Sequence, residues 1–140
     1  IACNLSLAQL NGTAFRNISF KDCKMLGLQF DHCNPFGLAF SFENCQLNHS
    51  TFFQLHLRKT VFKECQLREI DFSEADLSNA KFFECDLSQA IFQNTNLEKV
   101  DFRSSFNYVI DPENNNLKQA YFSIIGLPGL LEKYNIRVED

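Results

Sequence analysis

Residues 42–102 read FENCQLNHSTFFQLHLRKTVFKECQLREIDFSEADLSNAKFFECDLSQAIFQNTNLEKVDF, and within them every fifth residue is apolar. Phenylalanine and leucine alternate without a miss: Phe42, Leu47, Phe52, Leu57, Phe62, Leu67, Phe72, Leu77, Phe82, Leu87, Phe92, Leu97 and Phe102. An α-helix repeats its buried face about every 3.6 residues and a strand about every 2, so this spacing needs a backbone that turns a corner in each unit. Two places before each centre stands a second small or apolar residue, such as Cys45, Ser50, Leu55, Thr60, Cys65, Ile70 and Ala75. Two positions of each five therefore point inward and three face water.

The cysteines set the size of the coil. Cys45, Cys65 and Cys85 lie twenty residues apart while the Phe/Leu alternation repeats every ten, so four five-residue sides make one turn. Phe42, Phe62, Phe82 and Phe102 then form one ladder, Phe52, Phe72 and Phe92 the opposite one, and the leucines fill the sides between. Successive coils would lie about 4.8 Å apart, with backbone groups bonding up and down the stack. One inward charge, as in Leu77→Lys, should unravel neighbouring coils.

Ala75-Asp76-Leu77-Ser78-Asn79, Cys85-Asp86-Leu87-Ser88-Gln89 and Thr95-Asn96-Leu97-Glu98-Lys99 are near-ideal units of the pentapeptide-repeat pattern, and the chain resembles that family. The resemblance implies an all-β solenoid, a right-handed quadrilateral parallel β-helix of roughly six coils, with a short C-terminal capping helix. The same pattern runs through the N-terminal part in another phase. Its centres are Leu5, Leu10, Phe15, Phe20, Met25 and Phe30, preceded by Cys3, Ala8, Thr13, Ile18, Cys23 and Leu28.

The phase slips by two at residues 33–41, where Pro35 fixes one φ and Gly37 permits a tight turn. Looping out two residues there brings Cys3, Cys23, Cys45, Cys65 and Cys85 into one column. The stretch reads either as a bulge that preserves stacking or, by resemblance, as the glycine-bearing interruption of the quinolone-resistance branch. The repeat ends at residues 107–116, where Asn107 and Pro112 occupy inward places and Ile110-Asp111-Pro112-Glu113 makes a corner. Leu117 and Phe122 resume the phase, giving a β-helix over residues 1–122.

Residues 123–140 form the second unit, a helix and tail. Gly126-Leu127-Pro128 opens a helix running to about Tyr134, with proline in its first turn. Leu127, Leu130, Leu131 and Tyr134 share one helical face, which closes the end of the rod. By resemblance, the same segment joins two chains in a homodimer.

Enzyme, metal and cofactor signatures are absent. His32, His49 and His56 have no nucleophile motif around them, there is no phosphate-binding glycine loop, and a filled rod offers no pocket for a catalytic dyad. Cys45 and His49 have a metal-like gap but point to opposite sides of the coil. All six cysteines are expected as buried thiols that react only on unfolding. No apolar run spans a bilayer and no signal peptide is evident, so a cytoplasmic location is expected.

The outer surface remains. Residues 1–70 carry a net charge of +2 and residues 71–140 a net charge of -6. Glu64, Glu69, Asp71, Glu74, Asp76, Glu84 and Asp86 form the candidate acidic partner surface, with Glu64 and Glu84 in one column. Such a rod attracts basic DNA-binding surfaces and repels DNA itself, so the expected ligand is a protein, with neither a nucleic acid nor a membrane as partner. The resemblance implies a DNA mimic that binds DNA gyrase or topoisomerase IV and protects it from quinolones or toxins. The alternative is a general scaffold whose exposed Phe53, Val61, Phe83 and Ile91 dock an unrelated partner.

Overall fold

In the computed structural model, which describes residues 2–139, the chain winds as a stack of parallel coils around a continuous apolar interior. Four short strands lie one above the next in a single parallel sheet: β1 (Ile18–Lys21), β2 (Phe40–Glu43), β3 (Val61–Lys63) and β4 (Lys81–Phe83). Phe20 pairs with Phe42, Phe42 with Phe62 and Phe62 with Phe82. The other three sides are joined by single parallel bridges, among them Gln46 to Gln66, Thr51 to Asp71 and His56 to Asp76.

All thirteen Phe/Leu centres from Phe42 to Phe102 are buried, as are the residues two places before them. The phenylalanines stack face to face within a ladder and meet edge to face across the rod, as in the Phe62–Phe82 and Phe62–Phe72 pairs. Offset-stacked and T-shaped contacts are the two favoured arrangements of aromatic rings, and the interior uses both.

The corners have a feature that the apolar pattern does not announce. Asn44, His49, Gln54, Lys59, Glu64, Glu69, Glu74, Asn79, Glu84, Gln89, Asn94 and Lys99 all have positive φ, between 52° and 63°. This left-handed conformation costs a residue with a side chain roughly 1–2 kcal/mol. It persists because at every one of these corners but Gln89 the turned N–H points along the rod and donates to the next coil, as Asn44 does to the Lys63 carbonyl at 2.8 Å and Glu64 to Phe83 at 2.7 Å.

The phase slip is a two-residue insertion in a continuous stack. Ala14 bridges to Asn34, twenty positions on, whereas Ile18 pairs with Phe40, twenty-two on. The Lys24 N–H donates to the Cys3 carbonyl, Gln46 N–H to Cys23, Gln66 N–H to Cys45, Asp86 N–H to Cys65 and Phe106 N–H to Cys85, so the cysteines share one column. Phe36 stands 75% exposed at the tip of the insertion, with the Arg16 guanidinium 5.8 Å from its ring centre.

Three expectations need correction. Cys3 is exposed, so five thiols and not six are buried. In the first coil Leu5 is exposed, Leu10 and Phe20 are only partly covered, and Ala8, Thr13 and Ile18 are exposed, because these positions have a stacked neighbour on one side alone. The expected C-terminal helix is two separate 3-10 turns, Leu127–Leu130 and Glu132–Tyr134. Leu131, with φ -115° and ψ 2°, breaks the helical path between them. Leu130 alone of the predicted apolar face packs on the core, while Leu127, Leu131 and Tyr134 stay exposed.

The chain keeps its twenty-residue register through residues 107–116, since Asp86 bridges to Phe106 and Asn96 to Asn116. Asn107 faces out, and Tyr108, one residue later, turns inward between Phe102 and Phe122 with Ile110 beside it. Asn115 takes the inward place above Thr95. Its Oδ1 accepts the Thr95 N–H at 2.9 Å, and its Nδ2 donates to the Phe92 and Asp111 carbonyls at 3.0 and 2.9 Å. The C-terminal segment sits directly against Tyr108: a Cβ on Gly126 would fall 1.7 Å from its hydroxyl oxygen and one on Gly129 2.1 Å from its carbonyl. Only residues without side chains permit that approach.

Candidate protein-binding surface

A filled rod leaves only faces and corners for function. The twenty-residue coil spreads the acidic residues that are close in sequence around its perimeter. Glu64 and Glu84 occupy the same corner in successive coils, where the Asp22 and Asn44 side chains also meet at 2.7 Å. Glu69 lies on the next corner and is 2.8 Å from His49 Nδ1; Glu74 lies on the corner after that, accepting from Gln54 at 3.3 Å. The candidate acidic surface is therefore divided among different sides, and only Glu64 and Glu84 stack.

The three aspartates of that set are turn residues. Asp71 Oδ1 accepts the Ser73 N–H at 2.8 Å, and Asp76 and Asp86 accept Ser78 and Ser88 N–H groups at 3.0 Å. These Asx-type bonds fix the step from each centre to its corner. Hydrogen bonds from Ser88 and Asn107 hold the Asp86 carboxyl below its ordinary value, outweighing partial burial, which alone would raise it. Sequence position marks these residues as outward without revealing that their carboxylates are occupied by backbone N–H groups.

The alternative apolar docking set is not assembled either. Ile91 is exposed, but Phe53, Val61 and Phe83 are half-buried and lie with it on separate columns. The broadest apolar exposure is instead at the C-terminal end, where Ile124 and Ile125 are 87% and 92% exposed and Phe106, Val109 and Tyr121 are also uncovered. Between the last coil and the 3-10 turns runs an open cleft of about 420 Å³ lined by Phe106, Val109, Ile125 and Pro128.

Among the described residues no three metal-ligating side chains cluster, and no helix is long and apolar enough to cross a membrane. The buried thiols of Cys23, Cys45, Cys65 and Cys85 donate to backbone carbonyls on the side just before their own, in the same coil or the preceding one, for example Cys85 to Phe83 at 3.4 Å and to Phe62 at 3.3 Å. The neighbouring Cys65 thiol and then burial push the Cys45 thiol well above its ordinary value, which makes it inert rather than nucleophilic.

Residues 39–108, half of the chain, match the family model described as the pentapeptide repeat region. No curated protein sequence matches the chain. Among solved structures, trypsin-treated QnrB1, a plasmid-mediated fluoroquinolone resistance protein, is 20% identical with a TM-score of 0.53. That match takes in 99% of this chain and 66% of QnrB1. Rfr23, a pentapeptide repeat protein from the cyanobacterium Cyanothece 51142, is 21% identical over 87% of this chain and 82% of its own, with a TM-score of 0.51. HetL from the cyanobacterium Nostoc sp. strain PCC 7120, involved in heterocyst differentiation regulation, is 16% identical with a TM-score of 0.51. Its match covers 86% of this chain and 58% of HetL, so this chain is shorter than both QnrB1 and HetL. The shared architecture is the right-handed quadrilateral β-helix. With its repeat, its coil and half of its length inside the family's region, the chain belongs to the pentapeptide-repeat family.

Proposed function

We propose that the rod is a non-enzymatic protein-binding module that engages a type II topoisomerase, DNA gyrase first and topoisomerase IV second. In this reading it protects the enzyme from quinolones or toxins by presenting a DNA-like charge pattern. The observation that carries it is the stacking of Glu64 on Glu84 at the coil pitch, along a corner that runs with the rod axis. Carboxylates repeated along a narrow rod attract a surface built for phosphates. The likeness to QnrB1, a fluoroquinolone resistance protein, supports the choice of partner. Two copies join through the C-terminal segment, where Ile124, Ile125 and the cleft beside Phe106 and Val109 offer apolar area.

A supercoiling assay with purified gyrase and ciprofloxacin tests this. Protection by the wild type and its loss in the Glu64→Lys/Glu84→Lys double variant are expected. No binding to gyrase and no change in inhibition would remove the proposal. The placement of Glu69 and Glu74 on other corners favours a second reading, a scaffold for an unrelated protein. A pull-down from native extract free of gyrase subunits would support it.

A further inference from the structure

One corner before Glu64 and Glu84, the coil carries the opposite charge. Lys59, Lys81 and Lys99 come from three successive coils and line an open groove of about 840 Å³, whose floor is Val61, Ala120 and Tyr121. All three lysines are exposed, and none has a carboxylate within ion-pair distance among the described residues. Asp101, the carboxylate on this face, is already held by Arg103 at 2.9 Å. Among the described residues Lys59 and Lys99 have no carboxylate partner and Lys81 shares Asp101 with Arg103, which leaves net positive charge on an apolar floor in a chain of net charge -4.

We propose that this groove binds an extended acidic peptide segment of a partner protein. Lys59 and Lys99 stand two coils apart, about 10 Å at the usual spacing of parallel strands, and a peptide extended as a polyproline II helix covers about 9 Å in one three-residue turn, which returns i and i+3 to the same face. Carboxylates at positions i and i+3 of the peptide therefore meet Lys59 and Lys99, with Lys81 between them. An apolar residue between the two carboxylates lies on Val61 and the exposed edge of Tyr121.

A peptide fits better than a nucleic acid. The face of Tyr121 is already covered by the Arg103 guanidinium, 4.6 Å from the ring centre, which removes the stacking platform a base requires. The groove shares no residue with the Glu64/Glu84 corner, so it stands or falls independently of gyrase binding.

Fluorescence anisotropy on the full chain tests the proposal, with fluorescein-labelled Gly-Glu-Leu-Val-Glu-Gly as probe. The same peptide with lysine for glutamate and an oligothymidylate of equal length serve as competitors. Salt-sensitive binding of the acidic probe is expected, weakened about tenfold in Lys59→Glu/Lys99→Glu and less in Lys59→Gln/Lys99→Gln. The charge reversals are conformationally safe, since glutamate already occupies the equivalent left-handed corner at Glu64, Glu69, Glu74 and Glu84. Equal melting temperatures of variant and wild type check folding. Unchanged affinity in the reversal variant, equal competition by the lysine peptide, or tighter binding of oligothymidylate would overturn the proposal. So would self-association lost in the variant without any peptide binding, which would assign the groove to a second copy.

Discussion

The Phe62 and Phe82 rings lie 4.9 Å apart and within 1° of parallel, twenty residues apart in sequence and one coil apart in space. The same stacking links Phe42 to Phe62 at 5.2 Å and Phe82 to Phe102 at 5.1 Å, so one ladder threads successive coils. Stability in such a stack is passed between neighbours, because each ring is covered by the coils on either side of it. The interior is therefore a set of interdependent columns, and damage in one coil reaches the next.

Leu77 is fully buried in the middle of this stack. Leu77→Ala is expected to cost about 2–5 kcal/mol from lost burial and the cavity left behind. Leu77→Lys adds an unpaired interior charge and is expected to abolish the folded rod. Chemical denaturation followed by far-UV circular dichroism measures both; an unfolding free energy unchanged by either substitution would contradict the ladder.

Thiol accessibility gives a second check. Cys3 is exposed, and Cys23, Cys33, Cys45, Cys65 and Cys85 are buried. Burial also raises the Cys33 thiol, lowering its thiolate fraction and so its reactivity. Iodoacetamide should label Cys3 in native protein and all six cysteines in denaturant. Mass spectrometry reads the sites directly, and native labelling of Cys65 or Cys85 would show that the coils open.

The centres from Phe42 to Phe102 were legible because one fixed spacing governs both side-chain direction and coil closure. Tyr108 was less so: the apolar residue arrives one position late, after Asn107, and a strict count of five passes over it. The left-handed corners were hidden because polar residues of ordinary type fill them, and the compensating bonds run to a coil twenty residues away. Glu69 and Glu74 misled for the opposite reason, since nearness in sequence places residues on different corners of a coil. The 3-10 turns escaped because Leu127, Leu130 and Leu131 fit a helical face until Leu131 leaves the helical path.

Gln89 tests the strain at those corners. It is exposed, has φ 58°, and its side chain makes no hydrogen bond among the described residues. Gln89→Gly relieves a left-handed penalty of about 1–2 kcal/mol but adds chain entropy to the unfolded state of roughly 0.5–1 kcal/mol. A net stabilisation of up to about 1.5 kcal/mol is expected, read as a higher midpoint in urea. A loss of stability would mean that the corner is not strained.

The docking of the C-terminal segment should depend on pH. Tyr134 Oη donates to Glu113 at 2.6 Å, and Lys133 Nζ lies 3.0 Å from Asp111 and 3.1 Å from Glu113. The Tyr134 hydroxyl, followed by Lys133, holds Glu113 below its ordinary value, and the Glu113 N–H, followed by Lys133, does so for Asp111. Groups depressed in this way favour docking fully above their ordinary values, 4.5 and 3.8, and lose that contribution as pH falls through the lower docked values. Lys133 and Tyr134 are raised, by Asp111 and Glu113 respectively, so their contribution is full below 10.5 and 10.0 and is lost as pH rises beyond. The protection factor for hydrogen exchange at residues 127–134, the observed rate corrected for the intrinsic amide rate at each pH, should therefore be highest through the neutral range and fall at both extremes, while that of β3 and β4 stays unchanged. Glu113→Gln should leave the alkaline loss due to Lys133 and Asp111 in place and remove most of the change tied to Tyr134, and a protection factor flat across the whole range would show that this cluster does not hold the segment.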